Sequence, residues 1–317
     1  MSMQAKSKTK SKGLWFGIKT ELQRHWQLYL MLLLPVVYII IFAYLPMAGI
    51  SIAFREYSLR SGMFGDEFVG LKYFRQFFSS PMFSTVMKNT LIISFYSLLV
   101  SFPTPIILAV FLNEIRSKFV KKTIQTVTYA PYFISTVVMV GIILQVLHMR
   151  IGVVNNLFEA IGLDRIDFMG KESYFRTIYV LSNVWQTTGF SAVIYIAALG
   201  GVDPSLVEAS VIDGASRMQK IIHIDLPCIA PTIVIQLILA VGSVMNIGFD
   251  KIFLMQSPVN LNVSEIISTL VYKRGIEKSL YSFATAVGLF NSVINLVLLF
   301  TANFAARKIS DNEASLW

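Results

Sequence analysis

Charged side chains are scarce in this sequence. Only 14% of its 317 residues are Asp, Glu, Lys or Arg, and 55% are apolar. An ordinary water-soluble domain carries about 25% charged residues. A chain of this length and apolarity is therefore predicted to cross a membrane several times. The net charge of +9 does not indicate a nucleic-acid-binding protein, because the basic residues form no stripe and no known nucleic-acid-binding motif is present.

Cysteine and histidine are almost absent as well. The single cysteine, Cys228, excludes an internal disulfide framework and a multi-cysteine metal site. The three histidines, His25, His148 and His223, lie far apart and in different sequence contexts. No metal site is predicted.

Signatures of catalysis and of self-powered transport are missing too. The sequence has no G-x-x-x-x-G-K-[ST] loop for ATP, no G-x-S-x-G nucleophile elbow and no H-E-x-x-H zinc motif. No paired carboxylates fall inside its apolar runs, and Asp250 lies at the end of one. Carriers driven by protons or sodium usually need buried ionisable groups. We therefore predict no catalytic residues, and we expect any energy for transport to come from another chain.

Six long runs without charge are what the sequence does contain. Each exceeds the roughly 20 residues that a helix needs to cross a bilayer, and the first is far longer than the about 7–15 residues of a signal-peptide core. Backbone groups must be paired in lipid, and continuous apolarity without alternation excludes a closed barrel. We predict an all-α membrane protein with six transmembrane helices, at 27–54, 89–113, 123–147, 177–202, 226–249 and 279–306.

The predicted organisation is one transmembrane domain between two tails. Residues 1–24 are basic and too polar to fold, so they are predicted to be disordered. Residues 25–306 form the domain, and 307–317 form a C-terminal tail. Lys/Arg residues are nearly balanced between the two sides, so the orientation rests on the lysines of the first tail and of the short connection between spans two and three. These place both termini in the cytoplasm.

Prolines and uncharged amides interrupt the spans. Prolines such as Pro131 and Pro231 kink helices, which predicts hinges or cavity walls. Amides are costly in lipid and face the bundle interior, where they either bridge helices or line a path for a hydroxyl-rich solute. Both interpretations are open for any single residue. As a group, spans four and five are the predicted path, with candidate lining residues Tyr132, Gln145, Asn183, Trp185, Gln186, Thr187, Tyr195, Gln236, Asn246, Asn291 and Asn295.

A polar segment at 203–225 separates spans four and five on the predicted cytoplasmic side. Asp203-Pro204 predicts a helix start, because Asp caps free backbone N–H groups and Pro is favoured at the first helical position. The helix is predicted over 204–213 and ends at Gly214, since glycine readily adopts the left-handed conformation. Its apolar stripe comprises Leu206, Val207, Ser210 and Val211.

A second short helix follows in the same segment. Ser216-x-x-Gln219 matches a capping box, and the helix is predicted to end before Pro227. A short amphipathic helix at the inner membrane face either docks into a groove of a partner or lies on the lipid headgroups. The opposite, polar face is predicted to carry Glu208, Asp213, Arg217 and Lys220.

The spacing in this segment resembles the EAA motif of permease subunits of binding-protein-dependent ATP-binding-cassette (ABC) importers. The pattern is Glu-Ala-Ser, three residues, a glycine, nine residues and Ile-x-Leu-Pro. A serine stands where the motif usually has its second alanine, and both residues are small. The matching residues are Glu208, Ala209, Ser210, Asp213, Gly214, Ile224, Leu226 and Pro227.

Other segments resemble the branch of sugar permeases that takes up oligosaccharides and polysaccharide fragments (LplB-like). They are 44–49 (YLPMAG), 112–114 (LNE), 125–135 (QTVTYAPYFIS) and 248–253 (GFDKIF). The resemblance implies a type I ABC importer permease of MetI-like architecture, with cytoplasmic coupling helices, in a bacterial cytoplasmic membrane. It also implies a second permease subunit, two ATPase subunits that bind ATP and Mg, an extracytoplasmic solute-binding protein, and alternating access for a carbohydrate. No cofactor is expected on this chain.

Three other functions compete with this one. A permease for another solute, such as an amino acid or phosphate, would share the EAA motif. A stand-alone channel or secondary carrier has no use for a docking helix pair and usually needs intramembrane charge. An integral membrane enzyme would need a reactive cluster, and the sequence offers none.

Overall fold

The structure is a computed structural model that describes residues 14–58, 60, 62 and 67–309. Within these ranges the regular structure is helical, apart from one isolated antiparallel bridge between Arg55 and Phe68. Four helices are long and apolar enough to cross a membrane, or six if each of two bent helix pairs forms one span. The predicted all-α membrane fold is confirmed. The chain divides after Val69 into two units, which are described separately.

The first unit holds a series of helical segments that ends at Phe54 and is kinked at His25, where φ is −124° and ψ is 26°. It comprises α1 (Leu14–Ile39), a π-turn (Ile40–Tyr44), α2 (Leu45–Met47) and a 3₁₀ segment (Ala48–Phe54). The first span is therefore present as predicted. The predicted disorder of the tail is wrong for residues 14–24, which are helical, while residues 1–13 lie outside the described part.

The second unit holds the remaining helices. They are α3 (Lys72–Phe78), α4 (Pro81–Ser101), α5 (Pro103–Glu114), α6 (Lys118–Tyr129), α7 (Thr136–Val146), α8 (Val153–Ala160), α9 (Glu172–Leu199), α10 (Pro204–Ile212), α11 (Arg217–Lys220), α12 (Leu226–Gly242), α13 (Phe249–Met255), α14 (Leu261–Ser264), α15 (Ile267–Tyr272) and α16 (Tyr281–Ile309). Spans two, four and six correspond to α4–α5, α9 and α16, each within a few residues of the prediction at one end or both.

The third span is broken rather than continuous. A 3₁₀ turn (Ala130–Phe133) follows α6, and α7 leaves at an angle of 103° to the preceding helix. Pro131 lies in this turn, as the hinge interpretation predicted, because proline cannot donate to a helical hydrogen bond. The break frees the carbonyl of Ile134, which accepts a hydrogen bond of 3.1 Å from Nε2 of Gln186 on α9.

The fifth span is shorter than predicted. Helix α12 ends at Gly242, and the chain turns through 243–248 before α13 begins. The prediction of a span to 249 is therefore wrong in its last turns. Apolarity could not reveal this end, because side-chain hydrogen bonds from another helix support it: Oδ1 of Asn295 on α16 accepts from the backbone N–H of Met245 at 3.1 Å.

Two tight packing contacts fix the bundle. A Cβ atom at Gly189 on α9 would lie 2.1 Å from the carbonyl oxygen of Thr128, so only glycine permits this crossing with α6. On α3, Phe77 is buried and packs edge-on against Phe83 and Phe290, with ring centroids 5.0 and 5.6 Å away. Helix α3 thus anchors on α4 and α16.

Candidate translocation cavity and coupling surface

An open cavity of about 990 Å³ lies in the second unit. Its wall is formed by α4, α9, α12, the turn at 243–248 and α13, with the break in the third span contributing Tyr132 and Thr136. The predicted lining residues that this cavity brings together are Tyr132, Asn183, Gln186, Thr187, Tyr195, Gln236 and Asn246. Spans four and five, the predicted path, thus do share a cavity.

Two of the other predicted lining residues face away from the cavity. Trp185 is 51% exposed on the outer side of α9, and Gln145 is exposed on α7. Asn183, Gln186 and Thr187 are spaced by one helical turn and share the face that Trp185 does not. The sequence placed these residues next to one another but could not show how the helix is rotated.

The remaining two, Asn291 and Asn295, bridge helices instead. Both are on α16, and the Nδ2 groups of both donate to Oδ1 of Asn246, at 3.0 and 2.9 Å. Neither lines the cavity. They hold Asn246, which does line it, and with it the turn that ends α12. The helix-bridging interpretation is correct for this pair.

Hydroxyl groups and aromatic rings complete the wall. Ser94, Ser97 and Ser101 form a stripe on α4, and the hydroxyls of Ser97 and Ser101 have no hydrogen-bond partner among the residues that the structure describes. Tyr132 and Phe190 stack face to face, with centroids 3.9 Å apart and planes 7° from parallel. The serines were missed in the sequence, although their spacing of three and four residues within a predicted span was a usable signal.

Lys251 is the most unusual group in the cavity, and the sequence analysis missed it. Its side chain is 5% exposed, and Nζ donates to Oε1 of Gln186 at 3.3 Å and lies 6.0 Å from the ring centroid of Tyr179. Lys251 follows the apolar run of the fifth span by only a few residues. A lone lysine next to a predicted transmembrane run was the signal that could have found it.

The second candidate site is the surface of the segment 203–225, which joins α9 to α12. Helix α10 follows α9 at an angle of 79°. Oδ1 of Asp203 accepts the backbone N–H of Ser205 at 2.9 Å, and this hydrogen bond lowers the pKa of the Asp203 carboxyl. Gly214, with φ of +75°, ends the turn after α10, and the predicted capping box of Ser216 and Gln219 is present. Both predicted helix starts are confirmed.

Apolar side chains project from this segment without cover. We call the group Leu206, Val211, Ile212, Met218 and Ile222 the coupling surface. Ile212 is 84% exposed and Val211 69%, while Glu208 beside them is also exposed. Exposed large apolar side chains that are grouped on one segment are a feature of binding sites. Ser210, by contrast, is buried, so the serine of the EAA motif faces the bundle.

The inner side of this segment is held by charge. Lys220 was predicted to lie on the outer polar face, and that is wrong. It turns inward, where Nζ pairs with Glu114 at the end of α5 and lies 3.4 Å from the buried carboxylate of Asp225. This contact could not be predicted from the local sequence, because Glu114 precedes Lys220 by 106 residues.

The second helix of the segment does not end before Pro227. It continues through a π-turn (Ile221–Asp225) into α12 as one helix. Proline lacks an N–H and crowds the carbonyl four residues earlier, and a π-turn widens the helix at that point. The same arrangement, a π-turn followed by Leu-Pro, occurs at Ile40–Tyr44 in the first unit. Ile224 and Leu226 are partly buried there, and Pro227 is exposed.

Comparisons with known proteins agree with this geometry. Residues 101–311 match the model of the family described as "Binding-protein-dependent transport system inner membrane component". Protein LplB of Bacillus subtilis (strain 168) is 41% identical over 287 residues, covering 90% of each chain. The polygalacturonan/rhamnogalacturonan transport system permease protein YteP of the same organism is 40% identical over 284 residues, covering 90% of this chain and 88% of YteP.

A solved structure is similar over nearly the whole chain. It is a chain of a bacterial ABC transporter involved in the import of the acidic polysaccharide alginate, 39% identical in sequence, with a TM-score of 0.86. The match covers 92% of this chain and 99% of that chain. A second crystal structure, of the alginate ABC transporter in complex with an alginate pentasaccharide-bound periplasmic protein, matches with the same TM-score and identity.

Proposed function

Because this chain belongs to the family of binding-protein-dependent transport system inner membrane components, we propose that it moves an oligosaccharide or polysaccharide fragment inward by alternating access, driven by a separate ATPase. The observation that carries the proposal is the course of one helix. Helix α9 lines the cavity with Asn183 and Gln186, and it leads through a bend of 79° into α10. Movement of the coupling surface would therefore be transmitted directly to the wall of the cavity.

The chemistry of the cavity suits a sugar. Amides, serine hydroxyls and aromatic rings are the groups that hydrogen-bond hydroxyls and cover the apolar faces of sugar rings. A volume of about 990 Å³ is at the upper end of the roughly 300–1,000 Å³ usual for small-molecule sites. The names of similar proteins, which mention polygalacturonan, rhamnogalacturonan and alginate, support a polysaccharide fragment as the cargo.

The coupling surface is the proposed contact with the ATPase. In this assignment α10 docks into a groove of the partner, with Val211 and Ile212 as apolar anchors and Glu208 as the charged group beside them. Lys220, through Glu114, ties the segment to α5, so that docking and undocking displace the bundle as a unit. Residues Ala209, Asp213 and Gly214 shape the turn that presents this surface.

The proposed assembly contains four further chains. They are a second permease subunit, two ATPase subunits and an extracytoplasmic solute-binding protein. ATP and Mg bind to the ATPases, and both termini of this chain face the cytoplasm, as does the coupling surface.

Reconstitution of the complete importer in lipid vesicles tests the proposal. Uptake of labelled oligosaccharides is measured together with ATP hydrolysis, with and without the solute-binding protein. We expect uptake that requires ATP on the ATPase side, and its loss on charge reversal in Glu208→Lys. Glu277→Lys, an exposed glutamate outside the coupling segment, is the matched control. Uptake that continues without ATP and follows an ion gradient would instead identify a secondary carrier.

A further inference from the structure

Lys251 carries a buried charge without a counter-charge. Buried lysines are normally paired, because an unpaired charge is costly away from water. Two other partly buried lysines follow the rule: Lys220 pairs with Glu114, and Lys273 lies 2.6 Å from a carboxylate oxygen of Glu265. For Lys251, no carboxylate oxygen lies within the 4 Å of an ion pair among the residues that the structure describes.

The immediate neighbours of this lysine are neutral. Within the described part of the chain, its one hydrogen bond goes to the amide oxygen of Gln186, and Tyr179 offers the face of its ring. Asp250 is adjacent in sequence and borders the same cavity, but it is exposed and lies beyond ion-pair distance. The cavity thus presents one ammonium group whose nearest neighbours are an amide and an aromatic ring, while the carboxylate of Asp250 borders the cavity beyond ion-pair distance.

We propose that Lys251 binds an acidic group of the cargo, the carboxylate of a uronic acid residue, and so selects acidic over neutral oligosaccharides. This inference rests on the proposed function, because it assigns the charge of the same cargo. An ammonium–carboxylate contact is strengthened where the surroundings exclude water, and charge-assisted hydrogen bonds are about twice as strong as neutral ones. The incoming carboxylate supplies the counter-charge that the described residues do not provide.

The fixed position of the Lys251 ammonium allows it to distinguish an acidic sugar from a neutral one. Gln186 holds Nζ through Oε1, and its Nε2 is in turn fixed by the carbonyl of Ile134, so the ammonium is kept at one place in the wall. Hydroxyl recognition remains available from other groups, such as Asn183 and Ser97. A neutral sugar of equal size would meet the same hydroxyl-binding groups and leave Lys251 unpaired.

The first test compares cargoes in the complete importer. Vesicles containing both permeases, the ATPases and the solute-binding protein are offered labelled trigalacturonate, trimannuronate, and neutral xylotriose and cellotriose. We expect uptake of at least one acidic trimer and little uptake of the neutral ones. Uptake of neutral trimers alone overturns this inference and leaves the proposed function standing. Absence of ATP-dependent uptake for every probe contradicts both.

The second test uses variants and a cargo matched in size. The acidic trimer that is transported is compared with its methyl ester, which has no charge. We expect Lys251→Gln to lower uptake of the acid about tenfold or more, as for loss of a hydrogen bond to a charged group, while uptake of the ester changes little. Lys251→Arg should retain most uptake of the acid. Lys278→Gln removes an exposed lysine outside the cavity and is the control.

A structural role for the lysine gives a different pattern. Equal loss of acid and ester uptake in Lys251→Gln, with a normal yield of assembled importer, would overturn the assignment. So would full uptake of the acid by that variant. If Lys251→Gln fails to assemble, Gln186→Glu decides instead: it places a permanent carboxylate beside the ammonium and should suppress uptake of the acid more than of the ester.

Discussion

Lys251 on α13 donates a hydrogen bond of 3.3 Å to Gln186 on α9, a residue 65 positions earlier in the chain. The same glutamine donates to the carbonyl of Ile134 at the break in the third span. One amide therefore joins three segments around the cavity. It donates to the carbonyl that the helix break leaves free, and it accepts from the buried ammonium group.

Replacing Gln186 with leucine should impair uptake while the chain still inserts. The change removes the hydrogen-bond donor to the partly buried carbonyl of Ile134, where a fully buried group would lose about 1–3 kcal/mol. It also removes the hydrogen-bond acceptor that the described residues offer to Lys251. ATP-dependent uptake and assembly yield are the measurements. Trp185→Leu, one position away on the outer side of α9, should transport normally. Equal uptake by the two variants would contradict the role given to Gln186.

Lys220→Met should uncouple ATP hydrolysis from transport. Removing one partner of a buried ion pair costs about 3–5 kcal/mol, and less here because Lys220 and Glu114 are each partly exposed. The buried carboxylate of Asp225 is left without a counter-charge as well. We expect the importer to assemble and to hydrolyse ATP with a weakened response to loaded solute-binding protein.

The control for this change is Arg217→Met on the same short helix, where the side chain is exposed. It removes the same charge without touching Glu114. If both variants lose coupling to the same degree, net charge of the segment matters and the ion pair does not.

Ile212→Asp should weaken binding of the ATPase. Burying a charged group at the centre of an apolar contact removes an anchor, and such anchors are worth about 2 kcal/mol, or roughly 30-fold in affinity. The amount of ATPase that copurifies with the permeases, measured at several salt concentrations, gives the effect. Ile276→Asp changes an isoleucine of similar exposure on another connection and should bind the ATPase as the parent does.

Gly189→Ala should destabilise the bundle. The added methyl group would lie 2.1 Å from the carbonyl of Thr128, so α6 and α9 must separate, and overpacking of this kind costs about 1–3 kcal/mol. Thermal unfolding in detergent measures the loss. Gly288→Ala on α16 meets no atom within 4 Å and should be neutral or slightly stabilising, since alanine is the better helix former. A neutral effect at both positions would rule out the close crossing.

Local sequence signals were sufficient to predict the helix starts of the segment 203–225. Asp203, Ser216 and Gln219 act within a few residues of the backbone groups that they cap, so a helix start could be recognised without knowledge of the fold. The end of that segment was mispredicted. Pro227 was taken as a helix stop, whereas a π-turn allows the helix to continue past it, supported by the Lys220–Asp225 contact and the following apolar run.

The candidate lining residues show the same difference: spacing within one helix was predictable, whereas contacts between helices were not. Asn183 and Gln186 are one turn apart, so their shared face was predictable, and the cavity lies on that face. Asn295 is likewise an uncharged amide within a predicted span, but it binds Asn246 and the backbone of Met245. Which of these two roles an amide takes depends on the helix opposite it, which composition alone does not specify.

By itself, the sequence determined that this is a helical membrane protein and that it belongs with importer permeases, and it led to the proposal that ATP is hydrolysed on another chain. Those conclusions depend on hydropathy, on capping and on a motif, all of which are read along the chain. Only the tertiary structure decided where the third and fifth spans end, which polar groups share a cavity, and that Lys251 is buried there without a counter-charge. The reason is physical: the free energy of a buried polar group is set by the partners that the fold brings within a few ångströms, and these partners come from distant parts of the chain.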